Sequence, residues 1–539
     1  MKDSGGRLDT VIARAAGNRA GNRENRNRAR TRLVAALMLT CALLVTACGG
    51  TTGIPEADGT DGGGLPMPGE IKPVTPPPNA TTAPTPSPID LITGAERTSP
   101  GVVASGGPNA PYNYAPSIMD TGSGEDMWWC SQLPGAPRPG DQILFAQAGN
   151  ADGPFVAPGG GPGAQVFGNS PTGFDQLHTC DPSVVRVDGI YYLYYTGTSN
   201  AQGQDNAIGL ALSTDGIHWS RANGGAPIVA PAGDTGGGNA YGAGQPSAVY
   251  LNGWFYLLFT DTSGKAADAS GAGQFVLRST TPTFTGGVQA LGPTGFTSVA
   301  STKTPRLRSL LAANTADWMW VDSLNAFAIA ADTAQGSTVS FWNADFTYQP
   351  YPPVSLPGAA QDGPGLVRTP DGHAPIPASN PCGSLSLDLV RATANRQAPT
   401  GLTHFGVTLT GFNGCQTPAQ AADVLNGFAM PSPDRTMDLL VDGKFVDFER
   451  ATVAQALAVG TLDQPVPALA GLPVEATINA QATGVSTGGQ PIGLLATNGH
   501  LCLVGSSNAA QLNSSTVRNV DAAAWSAYPG GCDLSALRP

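Results

Sequence analysis

The chain has few charged side chains and few of the residues that build metal sites or histidine-dependent catalytic sites. Only 12% of its 539 residues are charged, and five are histidine. Neither a Cys-x-x-Cys nor a His-x-x-x-His spacing is present, so no metal site is predicted and no cofactor is expected. Glutamate is missing altogether between Asp126 and Phe448, which excludes glutamate chemistry from that long stretch.

The apolar run near the N-terminus is too short for an ordinary membrane-spanning helix. It occupies residues 33–47, which is 15 residues, and it follows a basic leader. The run ends in the letters VTACG, in which the cysteine is Cys48, and this ending resembles the lipobox of bacterial lipoproteins. The resemblance implies that Cys48 is lipidated and that the chain lies outside the cytoplasm, held at the outer face of the cell membrane by its lipid anchor alone. A signal peptide that is simply removed is the alternative.

Basic residues are scarce in the part of the chain that would remain after cleavage. Residues 1–47 hold 9 of the 27 Lys and Arg and 3 of the 39 Asp and Glu, which leaves 18 basic and 36 acidic groups, a net charge of about −18. Proteins that bind nucleic acid neutralise phosphates with basic patches. Nucleic acid is therefore not an expected partner.

Composition and pattern divide the chain into four parts. Residues 1–48 are the signal peptide and lipobox, and residues 49–100 are a Gly-, Pro- and Thr-rich tether without hydrophobic periodicity. Residues 101–380 contain repeated strand patterns. Residues 381–539 mix helix-start and hairpin patterns, so they are predicted to be either an α+β module or the completion of the preceding domain.

A strand motif repeats through the third part of the chain. The letters LHTCDPSVV, which include Asp181, lead through Asp188-Gly189 into the aromatic strand IYYLYYT, and Asp-Gly between two such runs predicts a tight hairpin. Copies contain Pro116 and Pro246, at spacings of 66 and 64 residues from Pro182. Weaker copies near residues 317–342 and from residue 365 bring the predicted number of four-stranded sheets to five.

Six cysteines remain when Cys41 in the leader and Cys48 are set aside. An even number in an exported chain predicts disulfides, although six cysteines allow 15 pairings. Proximity along the chain and within the repeat favours three pairs, which are Cys130–Cys180, Cys382–Cys415 and Cys502–Cys532. The first pair would fasten the strand that contains Asp181.

The repeated motif is similar to that of the five-bladed β-propeller glycosidases of glycoside hydrolase families 43 and 32. The similarity covers about residues 100–375 and is most specific at residues 178–280, where DPSVV, DG, YYLYYT and ALSTDGIHW follow one another. It implies an all-β fold, a five-bladed β-propeller with a C-terminal α+β region, and an axial pocket lined by the innermost strands. In those families an Asp before Pro acts as general base or nucleophile, a second Asp tunes it, and a Glu is the general acid. Asp181 matches the first role.

The other catalytic positions depart from the family pattern. The residues equivalent to Asp181 in two other repeats are Ala115 and Gln245, and neither is ionisable. Glycoside hydrolysis needs two carboxyl groups, and an Asp kept protonated by burial can replace the missing Glu. Asp322, in an aromatic and apolar strand, is the preferred second carboxyl group, and Asp126 is the next candidate. Each could instead be a turn or cap residue.

Five side chains are candidates for sugar binding. Sugar rings present apolar C–H faces and polar rims, which aromatic rings and hydrogen-bonding groups match. The candidates are His178, Gln245, Trp128, Trp129 and Tyr241. The aromatic residues among them could instead pack within the sheets.

Two functions remain open from the sequence. The first is a surface-anchored glycoside hydrolase acting on a furanose-rich or xylose-containing polysaccharide of a cell wall or plant, with Asp181 as base. The second is a catalytically silent propeller that binds cell-wall glycan or a protein partner, and the missing Glu favours it. The expected partner is in the first place a polysaccharide or oligosaccharide, and a monomer is expected.

Overall fold

A computed structural model of the chain describes residues 87–133, 140–233, 240–333, 335–393, 400–488, 490–505, 507–535 and 537. The predicted lipobox with Cys48 and most of the predicted tether lie outside these residues. The tether ends earlier than expected, because Ile92–Thr98 form a strand, β1. In the described part of the chain, no helix has the length and apolar character needed to cross a membrane.

From residue 112 to residue 410 the chain forms successive antiparallel sheets. The first contains β2 (Tyr112–Asp120), β3 (Glu125–Gln132), β4 (Asp141–Ala148) and β5 (Ala164–Phe167). The second contains β6 (His178–Val187), β7 (Ile190–Thr198), β8 (Ala207–Ser213) and β9 (Ser220–Arg221). The third contains β10 (Ala243–Leu251), β11 (Trp254–Asp261), β12 (Gln274–Ser279), β13 (Gln289–Gly292) and β14 (Gly295–Ser298). The fourth contains β15 (Ala316–Val321), β16 (Ala326–Thr333), β17 (Gly336–Asn343) and β18 (Val354–Pro357), and the last contains β19 (Gln361–Arg368), β20 (Leu385–Ala392) and β21 (Leu402–Thr410).

The first strand of each sheet lies against the first strands of its neighbours. We call β2, β6, β10, β15 and β19 the inner strands. Each contacts the next, and β19 also pairs in parallel with β2, so that the first and last sheets form one eight-stranded sheet with β1 at its edge. Among the described residues, an apolar cluster fills each of the five gaps between neighbouring sheets. Burial on both faces explains why several strands are nearly continuous apolar runs.

The hairpin turns form where the sequence predicts them. Asp188 and Gly189 have φ angles of 51° and 78°, and Asn252 and Gly253 have 50° and 79°. Two successive positive φ angles match the twist of the flanking strands, and Asp, Asn and Gly tolerate them best. The predicted hairpin between β6 and β7 is therefore confirmed, and a turn of the same kind joins β10 to β11.

Four of the inner strands have a bulge near their start. The residues with positive φ at the bulges are Ala115 (46°), Asp181 (48°), Gln245 (53°) and Asp362 (52°). The pairing register of each strand shifts at this point. A bulge re-aims the side chain at the irregular position. The same local geometry therefore recurs in four sheets at one end of the inner strands.

A ladder of hydrogen bonds joins the inner strands just after the bulges. The hydroxyl oxygen of Ser117 accepts from the backbone N–H of Val184 at 3.0 Å, and Ser183 accepts from Ala248 at 2.9 Å. Ser247 accepts from Trp318 at 3.2 Å. At the fourth step, a carboxylate replaces the serine, and Asp317 accepts from Leu366 N–H at 2.7 Å.

Arg368 lies under this ladder and contacts three other sheets. It is 1% exposed. One terminal nitrogen donates to the carbonyls of Ala248 and Trp318, both at 3.1 Å, and lies 3.2 Å from Asp317, while the other donates to the Ser117 hydroxyl at 3.1 Å. A buried cation is tolerated only when it is paired and hydrogen-bonded.

The three predicted disulfides are present. Their Cα–Cα distances are 5.2 Å for Cys130–Cys180, 5.3 Å for Cys382–Cys415 and 4.6 Å for Cys502–Cys532. The first pair links β3 to β6, in neighbouring sheets. The predicted attachment of the strand that contains Asp181 is thus confirmed.

The C-terminal part completes the last sheet and then forms a separate α+β region. Its strands are β22 (Phe428–Pro431), β23 (Met437–Val441), β24 (Lys444–Phe448), β25 (Gly460–Thr461), β26 (Val474–Ile478), β27 (Gly484–Ser486), β28 (Ile492–Leu495), β29 (Leu501–Gly505), β30 (Val517–Asn519) and β31 (Gly530–Asp533). Its helices are α1 (Pro418–Val424), α2 (Ala451–Leu457), α3 (Ser507–Leu512) and α4 (Ala522–Ser526). Helix α1 begins with a capping box formed by Thr417 and Gln420.

The described residues of this region form two copies of the same structural unit. The strand orders β25-β22-β23-β24-β26 and β30-β27-β28-β29-β31 correspond position by position, with antiparallel pairs in the middle and a parallel pair at each edge. A helix, α2 or α3, follows the third strand of each copy. The copies share one apolar core, which includes Phe448 and Val453 of the first and Leu494 and Cys502 of the second.

Gly365→Ala is expected to destabilise the protein. A Cβ atom at Gly365 would lie 2.1 Å from the backbone oxygen of Pro116, where β19 meets β2, so the two strands would have to separate. Overpacking of this kind costs about 1–3 kcal/mol. Thermal or urea unfolding should therefore show a lower midpoint than for Gly149→Ala, since a Cβ at Gly149 meets no atom within 4 Å. Equal midpoints would contradict the close contact of β19 with β2.

Candidate active site

A pocket opens where the bulges of the inner strands converge. It and the solvent at its mouth make up about 330 Å³ of empty space. Its lining comes from the four bulges and from the start of β15, and consists of Ala115, Pro116, Asp181, Pro182, Gln245, Pro246, Thr315, Ala316, Asp317, Asp362, Gly363 and Pro364. Three of these residues are carboxylates. The pocket is thus acidic, with one carboxylate each from β6, β15 and β19.

Asp181 occupies the pocket as the sequence motif suggests. It is 7% exposed, and burial raises the pKa of its carboxyl to about 6. The charge of His178 and a hydrogen bond with the Thr196 side chain oppose this rise, while Asp141 and Asp362 add to it. Asp181 can therefore gain or lose a proton near neutral pH, which suits acid–base catalysis.

Asp362 is the pocket carboxylate that the sequence reasoning missed. Its Oδ2 accepts hydrogen bonds from the Tyr112 hydroxyl at 2.6 Å and from the side-chain amide of Gln361 at 2.9 Å. The last inner strand was expected to begin at Gly365, but it begins four residues earlier at Gln361. The available signal was Pro364, which follows Asp362 by two residues, whereas Pro116, Pro182 and Pro246 each directly follow the bulge residue.

Asp317 lines the pocket but is held by structural contacts. Its carboxylate accepts from the Ser247 hydroxyl and the Leu366 backbone and pairs with Arg368. These three contacts fix both carboxylate oxygens. The position suits a residue that holds the inner strands in place.

The two other carboxylates proposed from the sequence do not lie in the pocket. Asp322 directly follows β15, at the other end of the inner strands, where it accepts from Trp320 at 3.1 Å and lies 2.9 Å from Nδ1 of His373. Asp126 pairs with Met119 near the end of β2 and accepts from Gln147 at 2.7 Å. Neither shares a pocket with Asp181, because inner strands run from the pocket to the opposite end.

The candidate sugar-binding residues divide into three groups. Gln245 lines the pocket. Trp128 and Trp129 have no exposed surface, and their indole N–H groups donate to Gly216 O and Asn113 Oδ1, both at 2.8 Å. The tryptophans therefore lie in the apolar gaps on either side of their sheet, as the alternative interpretation had it.

His178 and Tyr241 lie behind the pocket wall. His178 pairs with Asp141 at 3.1 Å, and it is not among the lining residues. The hydroxyl of Tyr241 packs against Gly244, since a Cβ there would lie 2.6 Å from it. Burial raises the pKa of Tyr241 well above its usual range, and the charge of Asp181 adds to this.

Two sets of potential metal donors occur near the pocket. One is Cys130, Cys180 and Asp181, and the other is Asp141, His178 and Cys180. Both sets include Cys180, whose sulfur is bonded to that of Cys130. A disulfide sulfur is not a thiolate, so neither set offers the anionic sulfur that metals bind in proteins.

Part of the chain is similar in sequence to fungal arabinosidases. A stretch of 124 residues is 32% identical to arabinan endo-1,5-α-L-arabinosidase A and to a probable enzyme of the same description, both from Aspergillus niger. The match covers 22% of this chain and 35% of each relative, so it spans about a third of their length. No family model matches the chain.

Solved structures that align with part of this chain include two glycoside hydrolases. A family 117 glycoside hydrolase from the marine bacterium Zobellia galactanivorans has 12% identity and a TM-score of 0.40, over 60% of this chain and 91% of that one. The catalytic domain of the family 62 α-L-arabinofuranosidase of Coprinopsis cinerea has 12% identity and a TM-score of 0.36, over 58% of this chain and 96% of that one.

Asp181→Asn is expected to stabilise the protein at neutral pH. The pKa of Asp181 is about 6 in the folded protein against 3.8 ordinarily, so the folded state binds this proton more tightly than the unfolded chain does. Stability is thus lost as the pH rises from about 4 to about 6, by roughly 2–3 kcal/mol. Thermal unfolding should show the variant more stable than the native protein at pH 7.5 but not at pH 4. A difference of the same size at both pH values would contradict the buried carboxylate.

Proposed function

We propose that the chain is a glycoside hydrolase that acts on a pentose- or furanose-containing polysaccharide through Asp181 and Asp362. The observation behind this proposal is that two carboxylates from separate sheets, Asp181 on β6 and Asp362 on β19, line one pocket. Glycoside hydrolysis needs two carboxyl groups that flank the scissile bond, one to give a proton and one to activate water or attack the sugar.

The contacts of the two residues support different roles. Asp181, with a pKa of about 6, is ionised at neutral pH and is the base or nucleophile. Asp362 is the general acid. Its hydrogen bonds from Tyr112 and Gln361 both reach Oδ2 and hold the carboxyl group in the pocket.

The substrate class rests on the sequence similarity to arabinan endo-1,5-α-L-arabinosidases. The match is partial, so the proposal extends to pentose and furanose polysaccharides in general. An acidic pocket also disfavours anionic sugars and stabilises the positive charge that develops on the sugar ring during hydrolysis.

We further infer that the inner strands are arranged as a closed five-bladed β-propeller. The inference is supported by the cyclic contacts of the inner strands, by the parallel pairing of β19 with β2, and by the apolar clusters between neighbouring sheets. Strand β1 would complete the last blade beside β21, so the N-terminal and C-terminal ends of the domain close one sheet together.

A catalytically silent propeller that binds glycan is the second candidate. The specific observation in its favour is that Ala115 and Gln245, at the positions equivalent to Asp181, are not ionisable. Such a protein would bind sugar in the same pocket without hydrolysis.

Hydrolysis assays on arabinan, galactan and xylan should distinguish these functions. We expect the purified protein to release reducing sugar from at least one of them, and Asp181→Asn and Asp362→Asn each to lower kcat/KM by about 10²–10⁴-fold, the usual contribution of acid–base groups.

Asp126→Asn and Asp322→Asn serve as matched controls, because both carboxylates lie at the other end of the inner strands. Both should stay within about twofold of the native protein, a small change on the free-energy scale of catalysis. Retained glycan binding without any hydrolysis would leave only the silent binder.

The pH profile of kcat/KM tests the assigned role of Asp181. As a base, Asp181 must be ionised, so activity should fall as the pH drops below about 6, the pKa in the free protein. Initial rates at low substrate concentration between pH 4 and pH 8 measure this limb. Activity that instead falls as the pH rises through 6 would assign Asp181 as the acid and exchange its role with that of Asp362.

A further inference from the structure

An ion pair of Asp141 and His178 lies directly behind the pocket wall. His178 begins β6, three residues before Asp181, and its Nδ1 is 3.1 Å from Oδ2 of Asp141 on β4. The hydroxyl of Tyr114 donates to the same oxygen at 2.7 Å. The side chains of His178 and Asp141 are 23% and 14% exposed, so the pair is largely shielded from solvent.

Cys180 brings this pair close to Asp181. Its Sγ is within 4.8 Å of a carboxylate oxygen of Asp181, and also within 4.8 Å of a ring nitrogen of His178 and a carboxylate oxygen of Asp141. The disulfide with Cys130 fixes this sulfur, so the spacing is held covalently. The pair and Asp181 are largely shielded from solvent, and charges in such surroundings interact more strongly than in bulk water.

We propose that His178 is a positioning residue, held as an imidazolium by Asp141, and that its positive charge keeps Asp181 ionised and in place as the base. This inference depends on the proposed function of Asp181. It assigns His178 a role through Asp181 rather than in contact with sugar.

The charges around Asp181 explain why a cation is needed there. Burial and the nearby carboxylates Asp141 and Asp362 all oppose its ionisation. The buried cation Arg368 is directed to Asp317 and to backbone carbonyls instead. His178 is the charged group that acts most strongly in favour of ionised Asp181.

The other titratable neighbours do not supply a charge. Burial raises the pKa of the Tyr114 hydroxyl well above its usual range, and the charges of Asp141 and Asp181 raise it further. The same holds for Tyr241, where burial and Asp181 act together. Both hydroxyls are therefore neutral at the pH values at which Asp181 titrates.

His178 itself remains protonated in this range. Burial lowers the pKa of the imidazole, but the hydrogen bond to Asp141 and the charges of Asp141 and Asp181 outweigh burial, so the pKa lies above the ordinary 6.5. For Asp141 the same contact outweighs burial in the opposite direction and lowers the pKa. Each partner thus favours the charged form of the other.

The test is the titration of Asp181 in His178→Gln, which removes the charge and keeps a polar side chain. The carboxyl titration is followed by NMR with ¹³C-labelled aspartate, and Asp181→Asn identifies the resonance. We expect the midpoint of Asp181 to rise by about one pH unit. The acid limb of kcat/KM should move equally, which lowers the activity at pH 6 by about fivefold.

The matched control is His218→Gln. His218 also pairs with an aspartate, since its Nδ1 is 2.7 Å from Asp215, but its side chain is 86% exposed and lies away from the pocket lining. Its replacement should leave both the Asp181 midpoint and the acid limb unchanged. A shift confined to His178→Gln supports the proposal, and an unshifted midpoint in a folded His178→Gln protein overturns it.

A measurement on the native protein covers the case in which His178→Gln does not fold. The ¹⁵N shifts of the His178 ring report its protonation, and they should show an imidazolium at the midpoint of Asp181. A neutral ring at that pH overturns the proposal. If no polysaccharide is hydrolysed, the proposed function fails, yet the NMR shift of Asp181 still decides whether His178 controls its charge.

Discussion

The paired Arg368 is the constraint on which the arrangement of the inner strands depends. A guanidinium that is 1% exposed would be strongly destabilising if its partners were lost, because an unpaired buried charge is costly. Its partners are Asp317, the Ser117 hydroxyl and the carbonyls of Ala248 and Trp318, which belong to three different sheets. The charge is satisfied only when these sheets hold one relative position. The floor of the pocket is thereby fixed before any substrate arrives.

The bulges at the start of the inner strands form the pocket on this fixed arrangement of sheets. A residue before proline ordinarily adopts an extended conformation, and a positive φ is unusual for any residue other than glycine. Asp181 nevertheless has φ of 48° directly before Pro182. Local strain of this kind persists only when the surroundings enforce it. Here the ladder provides that enforcement, because it joins β6 to β2 through Ser117 and to β10 through Ser183.

Turn residues and cysteines made much of the fold predictable from the sequence. The position of each carboxylate along its strand was harder to predict, and this is why the second pocket carboxylate was missed. Asp188-Gly189 is a short-range signal, and each cysteine pairs with its neighbouring cysteine in the chain, so the structure has both as expected. Asp322 and Asp181 stand at opposite ends of inner strands, and a strand of six residues is about 20 Å long, so they could not share a pocket. Asp362 was missed because the glycines around Pro364 do not have the apolar pattern of a strand.

Packing on both faces of each sheet explains why the two tryptophans are buried and do not line the pocket. Neighbouring residues of a strand point to opposite faces, so one of Trp128 and Trp129 would reach solvent in a sheet with one exposed face. Both are fully buried because another sheet covers each face. The sequence of one strand does not reveal this, since it depends on the return of β19 to β2 some 250 residues later along the chain.

The comparison of equivalent bulges favours a catalytic role over simple binding. Ala115 and Gln245 have nearly the same φ as Asp181, so the backbone at this position needs no carboxylate. At neutral pH the buried carboxylate destabilises the fold by roughly 2–3 kcal/mol, a cost that alanine or glutamine would avoid. A pocket that only bound sugar could hydrogen-bond its hydroxyl groups through amides such as Gln245. An ionisable group held near neutral pKa, in one pocket with a second carboxyl, is what proton transfer requires, and proteins accept such a loss of stability where the chemistry depends on it.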